Sequence, residues 1–215
     1  MKKDPFVILN PAIEDYAEWH TTHETAVLSE LNRETNVNIL NPRMLTGHLL
    51  GNLLQLLSHL VKPKYVLDIG TYTGYSAICL AAGLAEGGIV HTIEINPELE
   101  EIITRYLKKA GVREKVRLHF GNALEVIPKL KEQFDMVFID ADKENYPDYY
   151  KLVIEKVRKG GLIIADDSLW DGKVLNPVDR ETKGICEFND FVQNDGRVEN
   201  VLLTVRHGIM VARKI

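Results

Sequence analysis

The pattern of apolar and polar positions changes along the chain at about Tyr65. Before that point, the stretches EDYAEWHTTHETAVLSELNRET and TGHLLGNLLQLLSHLV place apolar residues at helical spacing, and Lys62-Pro63 ends the second stretch. Between them NILNPRML is predicted to be a loop, because Asn41 precedes a proline and is therefore pushed out of helical geometry. The first third of the chain is predicted to be helical.

From Tyr65 onward, short apolar runs alternate with segments of helical spacing. The predicted strands are YVLDIG, IVHTIEI, VRLHFGNA, FDMVFIDA and LIIADD, and the predicted helices are YSAICLAAGLAEGG, PELEEIITRYLKKAG and YPDYYKLVIEKVRKGG. This alternation predicts a parallel sheet with helices on both faces. The final run, NVLLTVRHGIMVARKI, predicts an antiparallel hairpin around His207-Gly208. The predicted fold is therefore α/β, a doubly wound, seven-stranded, mostly parallel sheet whose last strand is antiparallel.

The composition narrows the class of protein. The 215 residues contain no repeat or linker, so we predict one domain, with a helical extension over residues 1–45 and the α/β core over residues 46–215. The net charge of −5 does not suggest a surface that follows a phosphate backbone. No apolar run approaches the roughly 20 residues needed to span a bilayer, and the start, MKKDPFVILNP, has too short an apolar stretch for a secretory signal. Cys79 and Cys186 lack metal-ligand spacing and indicate buried thiols in a reducing compartment. We expect a cytoplasmic protein without a membrane partner.

Acidic residues follow four of the five apolar runs that predict parallel strands. In open α/β sheets ligands bind beyond the carboxyl ends of the strands, so these positions are candidates for a binding site. A phosphate-rich ligand would need glycines and basic groups there, whereas acids suit hydroxyls, amines or positive charge. The acids are Asp68, Glu94, Asp140 with Asp142, and Asp166 with Asp167.

The loop after the first strand indicates the kind of cofactor. Gly70 and Gly74 form G-x-x-x-G, which is neither the G-x-G-x-x-G of dinucleotide folds nor a P-loop. Glu94 ends the second strand 20 residues later and could accept hydrogen bonds from both hydroxyls of a ribose. A nicotinamide cofactor and S-adenosylmethionine (SAM) are the two candidates. The missing middle glycine and the neighbouring Asp68 favour SAM, which carries an amino group and a sulfonium and has no pyrophosphate.

Five segments together resemble a known family. DIGTYTGYSAICLA, TIEINPE, FIDADKENYPDYY, GGLIIADDSLWDGKV and the C-terminal hairpin are similar to the cation-dependent SAM O-methyltransferases of the caffeoyl-CoA and catechol O-methyltransferase type, from about Met44 to the C-terminus. The resemblance implies a Rossmann-like fold, a homodimer, and a divalent cation, Mg²⁺ in most members, with Mn²⁺ or Ca²⁺ as alternatives. It also implies methylation of one hydroxyl of a vicinal aromatic diol, a small phenolic substrate.

The resemblance also assigns site residues. Asp140 is implied to be a metal ligand and a catalytic residue, and Lys143 the base. The implied metal ligands are Asp140, Asp166 and Asp167. The implied cofactor-binding residues are Met44, Thr46, Asp68, Gly70, Tyr72, Ser76, Glu94, Ala123, Asp140 and Asp142.

Two features depart from the family pattern. Asp167 stands where the family usually has asparagine, which should strengthen cation binding and oppose a second anion on the substrate. TGHLLGNLLQ has leucines where plant members have polar and acidic residues, and no insertion for an acyl-CoA site is recognisable. A CoA ester is therefore not the predicted substrate.

The residues themselves support this chemistry. Asp140 and Asp166 end consecutive parallel strands, so we expect them to be neighbours that bind an oxygen-preferring cation. Both hydroxyls of a catechol could then bind this cation, and Lys143 could take the proton if the cation and partial burial lower the lysine's pKa. In the alternative interpretations the acids are a polar strand end and Lys143 is a solvated lysine. Trp170 is equally compatible with a place in the core or in the wall of a planar substrate site.

Three other functions stay open at this point. The same chemistry could act on a hydroxylated tRNA base, although the negative net charge argues against a nucleic-acid partner. The chain could also bind SAM without turnover, but no catalytic residue is missing apart from the change at Asp167. A nicotinamide oxidoreductase is the least favoured alternative because of the glycine loop.

Overall fold

The structure is a computed structural model and describes residues 11–215. The first ten residues, which carry most of the segment judged too short for a secretory signal, lie outside the described residues. Within residues 11–215 the strands are β1 (Tyr65–Ile69), β2 (Ile89–Glu94), β3 (Val116–Phe120), β4 (Phe134–Ile139), β5 (Val157–Ala165), β6 (Val198–Leu203) and β7 (Ile209–Lys214). The α helices are α1 (Pro11–Trp19), α2 (Ala26–Asn38), α3 (Gly47–Val61), α4 (Tyr75–Ala81), α5 (Glu100–Lys109), α6 (Ala123–Val126), α7 (Tyr146–Lys156) and α8 (Arg180–Asn194).

The seven strands form one sheet in the order β3-β2-β1-β4-β5-β7-β6. Strands β1 to β5 pair in parallel, and β7 runs antiparallel to both β5 and β6. The predicted α/β fold with its antiparallel C-terminal hairpin is thus confirmed. The strand order reverses between β1 and β4, and in open α/β sheets the usual ligand site lies at the carboxyl ends of the strands at such a point.

The core lies on both faces of the sheet. On one face, apolar side chains of α3, α4 and α5 form a buried cluster. On the other face, side chains of α7 and α8 form a second cluster. Alternate residues of β1 supply the two clusters, since Val66 belongs to the first and Leu67 to the second. The apolar runs of the central strands are therefore buried on both sides, as expected for a parallel sheet.

The stretch EDYAEWHTTHETAVLSELNRET, predicted to be helical, belongs to two helices with a break between them. Helix α1 ends at Trp19 and α2 begins at Ala26. The side chain of Thr21 donates to the backbone carbonyl of Ala17, and the side chain of Thr25 accepts from the backbone N–H of Leu28. Threonine side chains that bind nearby backbone groups compete with helical hydrogen bonding, and so they separate the two helices.

Two further elements differ from the prediction. The helix predicted to reach Gly161 ends at Lys156, because Val157 pairs with Phe134 and the next residues extend β5. Pairing with a neighbouring strand overrides local helical spacing there. Helix α8 was not predicted, although Asp179 caps it by accepting from the backbone N–H of Thr182 at 2.8 Å, a start signal that is readable in the sequence.

None of the helices within residues 11–215 has the length and apolar character needed to cross a membrane. The cytoplasmic location, the homodimer and the division of the chain between residues 45 and 46 stay predictions.

Candidate active site

Three aspartates meet at the carboxyl ends of β4 and β5. Ile139 and Ala165, the last residues of these strands, are register partners, so Asp140 and Asp166 follow side by side. The backbone N–H of Asp166 donates to the carbonyl of Ile139 at 3.1 Å, which fixes the two strand ends together. Asp167 joins them, and one carboxylate oxygen from each aspartate lies within 4.8 Å of the others. The predicted neighbourhood of Asp140 and Asp166 is thus found in the structure.

Lys143 lies among these carboxylates. Its Nζ is 2.9 Å from Oδ1 of Asp140 and 2.7 Å from Oδ2 of Asp167, and the residue is only 6% exposed. Burial alone would lower the pKa of Lys143, but Tyr146, Asp140 and Asp167 together hold that pKa well above its ordinary value. The solvated-lysine alternative is therefore wrong. The expected lowering of the lysine's pKa by burial is also overcome, because the two carboxylates favour the charged form.

Sequence reasoning missed two residues of this cluster. The hydroxyl of Tyr146 is 2.8 Å from Nζ of Lys143, although the sequence pattern assigns Tyr146 only to a predicted helix. Its position three residues after Lys143 is a signal that could have identified it. Arg206 donates from Nη1 to Oδ2 of Asp166 at 3.1 Å. This arginine comes from the turn between β6 and β7, 40 positions away in sequence, and no local pattern marks it.

Trp170 lies beside the cluster and is half-buried. Nζ of Lys143 is 5.6 Å from the centroid of its ring, and Nζ of Lys173 is 5.0 Å from that centroid. Both distances are in the range of cation–π contacts. The ring therefore borders the lysine of the site, which favours its place in the wall of a planar substrate site over a place in the core.

The cluster fits a divalent cation. Oδ1 of Asp166 is buried and has no hydrogen-bond partner among residues 11–215. Burial raises the pKa of Asp166 to about 7; Arg206 acts in the opposite direction, while Asp140 and Asp167 raise it further. Hard cations such as Mg²⁺ prefer carboxylate oxygens, and a cation would satisfy the unpartnered oxygen. The donor set is thus the kind that such a cation requires.

The carboxyl end of β1 offers a second unpartnered carboxylate oxygen. Oδ2 of Asp68 accepts from the hydroxyl of Thr92 at 2.7 Å and from that of Ser76 at 3.0 Å. Oδ1 is buried without a partner among the residues described, and burial raises the pKa of Asp68 to about 7. An amino group would satisfy Oδ1 and favour the charged carboxylate. The hydroxyl of Ser76 helps to hold Asp68 in place, and a contact of Ser76 with a cofactor stays a prediction.

Hydrogen bonds from backbone N–H groups fix the orientation of both carboxylate oxygens of Glu94. Oε2 accepts from the backbone N–H of Tyr72 at 2.7 Å, and Oε1 accepts from that of Asn96 at 2.9 Å. Each oxygen keeps a further lone pair, so the carboxylate can accept from two hydroxyls. The hydroxyl of Tyr72 donates to the carbonyl of Leu40 at 2.9 Å. Tyr72 therefore ties the segment before α3 to the loop that follows β1.

The remaining predicted cofactor residues surround this edge of the sheet. Met44 is 59% exposed in the tied segment, and Thr46 is buried just before α3. Ala123 is buried at the start of α6. The carboxylate of Asp142 accepts from the hydroxyl of Tyr149 and from the side-chain amide of Asn145. Both oxygens of Asp142 thus have protein partners, and its contact with a cofactor stays a prediction.

Gly70 brings the end of β1, with Asp68, close to the end of β4, with Asp140. Its φ is +102°, and a Cβ at this position would collide with the backbone carbonyl of Asp140. The backbone N–H of Asp140 also donates to the carbonyl of Ile69 at 2.8 Å. Only glycine allows so close an approach at this backbone angle. The unpartnered oxygens of Asp68 and Asp166 therefore lie along one continuous edge of the sheet.

Comparisons with known proteins agree with this geometry. Residues 18–215 match the protein family described as O-methyltransferase. Caffeoyl-CoA O-methyltransferase 5 of Nicotiana tabacum is 36% identical over 179 residues, which cover 77% of this chain and 75% of that protein. The structure of TomG, an O-methyltransferase of Streptomyces achromogenes involved in tomaymycin synthesis, in complex with SAM, is 28% identical and matches with a TM-score of 0.88 over 100% of this chain and 99% of that one.

A Bacillus cereus O-methyltransferase in complex with SAH is 30% identical and matches with a TM-score of 0.87 over 95% of this chain and 97% of that one. The family match covers nearly all of the described residues, and the two solved relatives carry SAM or SAH. The resemblance noted in the sequence is thereby confirmed. The chain belongs to the O-methyltransferase family and is a SAM-dependent O-methyltransferase of the caffeoyl-CoA type.

Proposed function

We propose that the protein is a divalent-cation-dependent O-methyltransferase that moves the methyl group of SAM to one hydroxyl of a small catechol-like substrate. The observation that carries this proposal is the cluster of Asp140, Asp166 and Asp167 on the same sheet edge as Asp68 and Glu94. A carboxylate cluster beside a cofactor site is what metal-assisted activation of a hydroxyl requires.

Each half of the site has a separate task. Asp140, Asp166 and Asp167 would hold the cation, most suitably Mg²⁺. Such a cation would supply Lewis-acid chemistry that lowers the pKa of a nearby hydroxyl, and it would orient two adjacent hydroxyls. Trp170 would border a planar ring placed there, because its indole lies beside Lys143. A vicinal diol on an aromatic ring suits both features.

On the cofactor side, Asp68 and Glu94 bind and orient SAM. The unpartnered Oδ1 of Asp68 suits the amino group, and the two oxygens of Glu94 suit the ribose hydroxyls. The methyl group then passes from the sulfonium to the substrate oxygen, which supplies the electron pair of the new bond, while the electrons of the broken bond stay on sulfur. The step neutralises charge, so positioning and exclusion of water should supply most of the rate.

Lys143 would receive the proton of the hydroxyl. A lysine must be neutral to act as a base, and in the absence of a cation Asp140 and Asp167 favour the charged form of Lys143. A cation held by the same carboxylates would offset their negative charge and so favour loss of the lysine's proton. The base role of Lys143 therefore depends on an occupied cation site.

The decisive measurement is methyl transfer from labelled SAM to a simple catechol. We expect transfer with Mg²⁺, none after EDTA treatment, and recovery when Mg²⁺ is restored. Resorcinol is the matched control substrate, because its two hydroxyls are not adjacent and cannot share one cation; it should accept no methyl group. Transfer that is unaffected by EDTA would exclude the proposed mechanism. Methyl transfer to tRNA, with none to any aromatic diol, would show that the substrate is a hydroxylated tRNA base and not a small catechol.

Lys143→Met should lower turnover by about 10²- to 10⁴-fold, the usual contribution of a general base. The affinity for SAM, measured by calorimetry, should change by less than about threefold, because Lys143 contacts the metal ligands and not Asp68 or Glu94. Lys151→Met is the control, since Lys151 is exposed on α7, where it pairs with Asp148 and lies over the ring of Phe191. If Lys143→Met does not fold, Lys143→Arg keeps the charge and still removes the base. Equal losses of turnover and SAM affinity would contradict the base role.

A further inference from the structure

The turn between β6 and β7 is fixed against the loop that carries the metal ligands. The backbone N–H of Ser168 donates to the carbonyl of Gly208 at 2.9 Å, and that of Leu169 donates to the carbonyl of His207 at 2.8 Å. Gly208 has a φ of +91°, and a Cβ there would collide with Leu169. The turn therefore lies in backbone contact with the residues that directly follow Asp167.

The position of this turn places the side chain of Arg206 beside the cluster of Asp140, Asp166 and Asp167. Arg206 adopts a left-handed backbone conformation with a φ of +50°, which is unusual for a residue with a side chain. Its Nη1 is 3.1 Å from Oδ2 of Asp166, and the two side chains are 19% and 4% exposed, respectively. A largely buried charged hydrogen bond holds Oδ2, while Oδ1 stays without a partner among the residues described. The guanidinium thus fixes one oxygen of Asp166 and leaves the other available as a ligand.

The charges of the cluster show what this arginine contributes. Lys143 contacts two of the three carboxylates, those of Asp140 and Asp167, and Arg206 contacts the third. An asparagine in place of Asp167 would leave two carboxylates and a neutral amide. Asp167 adds one negative charge to that set, and Arg206 brings one positive charge against it. Residues that contact metal ligands commonly orient those ligands and adjust their affinity for the metal.

We propose that Arg206 is a positioning residue of the metal site, which holds Asp166 in its ligating orientation and offsets the negative charge that Asp167 adds. This inference rests on the proposed function, because it takes the aspartate cluster to be a cation site. The arginine and Asp167 then form a compensating pair. The two residues together set the cation affinity near that of a site with two carboxylates and an amide.

The test measures binding of Mg²⁺ and of Mn²⁺ to the full chain by calorimetry, without SAM or substrate. Arg206→Gln keeps a hydrogen-bond donor and removes the charge, so it should tighten cation binding by about tenfold. Asp167→Asn should weaken binding by about tenfold, and the double variant should return to within about threefold of the unchanged protein. Arg206→Lys keeps the charge and should also remain within about threefold.

The control is Arg213→Gln, which removes a charge from the same hairpin, where Arg213 pairs with the exposed Glu199. It should leave the cation affinity unchanged. An unchanged or weakened affinity in Arg206→Gln, or a lysine variant that behaves like the glutamine variant, would overturn the charge-offset role. A change in thermal stability alone would also overturn it, because it would mean that Arg206 only supports the fold. If the unchanged protein binds neither cation, the proposed function fails and this inference fails with it.

Discussion

Asp140→Ala is expected to lower metal-dependent methyl transfer by more than about 100-fold and to weaken Mg²⁺ binding by a comparable factor. Loss of a residue that only supports a ligand costs about 10- to 100-fold in affinity or activity, so loss of a ligand should cost more. Asp140 is also a partner of Lys143 at 2.9 Å, so the variant removes one proposed ligand and one of the two carboxylates that contact the lysine. Calorimetry with Mg²⁺ and a methyl-transfer assay measure the two effects separately.

The matched control for this substitution is Asp148→Ala. Asp148 is exposed on α7 and pairs with Lys151 at 3.0 Å, so its removal should leave metal binding and turnover unchanged. An Asp140→Ala protein that keeps Mg²⁺ affinity within about threefold of the unchanged protein would show that Asp140 is not a ligand. A loss of SAM affinity without loss of Mg²⁺ binding would instead assign Asp140 to the cofactor.

Gly70→Ala is expected to lower the free energy of unfolding by about 2–6 kcal/mol and to abolish measurable SAM binding. Two penalties add in this variant. A residue with a side chain is strained at a φ of +102°, and its Cβ would collide with the backbone carbonyl of Asp140. Relief of the collision would move the end of β1 away from β4, and Asp68 and Glu94 would lose their common orientation. Urea unfolding and calorimetry with SAM measure the two effects.

Gly111→Ala separates these penalties. Gly111 also has a positive φ, +68°, but a Cβ there would meet no atom within 4 Å. It should therefore cost only about 1–2 kcal/mol and leave SAM binding unchanged. Similar losses in the two variants would show that the close approach of Gly70 to Asp140 is not important for stability.

The positions of the acidic residues at the strand ends could be predicted from the sequence, because one rule relates the strand pattern to the edge of the sheet. Apolar runs that alternate with helical segments predict a parallel sheet, and the residues that follow such runs meet at one edge. Asp140 and Asp166 could be paired in this way, since β4 and β5 are consecutive along the chain and adjacent in the sheet. The prediction needed no knowledge of side-chain packing.

Other features depend on contacts that local sequence does not specify. Arg206 reaches Asp166 only because the hairpin turn folds back over the loop after β5. The start of β5 at Val157 depends on its pairing with Phe134, which overrides the helical pattern of that segment. The break between α1 and α2 follows from threonine side chains that bind nearby backbone groups, a competition that apolar spacing does not record.

The contact between Gly70 and Asp140 has a thermodynamic consequence. The two residues share a backbone contact, and the backbone N–H of Asp140 donates to the carbonyl of Ile69, so the glycine loop and Asp140, a proposed metal ligand, cannot shift independently. If SAM or the cation favours a particular position of the backbone around Gly70 and Asp140, that preference changes the affinity of the site for the other of the two. By linkage, the factor by which SAM changes the cation affinity must equal the factor by which the cation changes the SAM affinity. Any coupling between binding of SAM and binding of the cation would therefore be carried by this short segment of backbone.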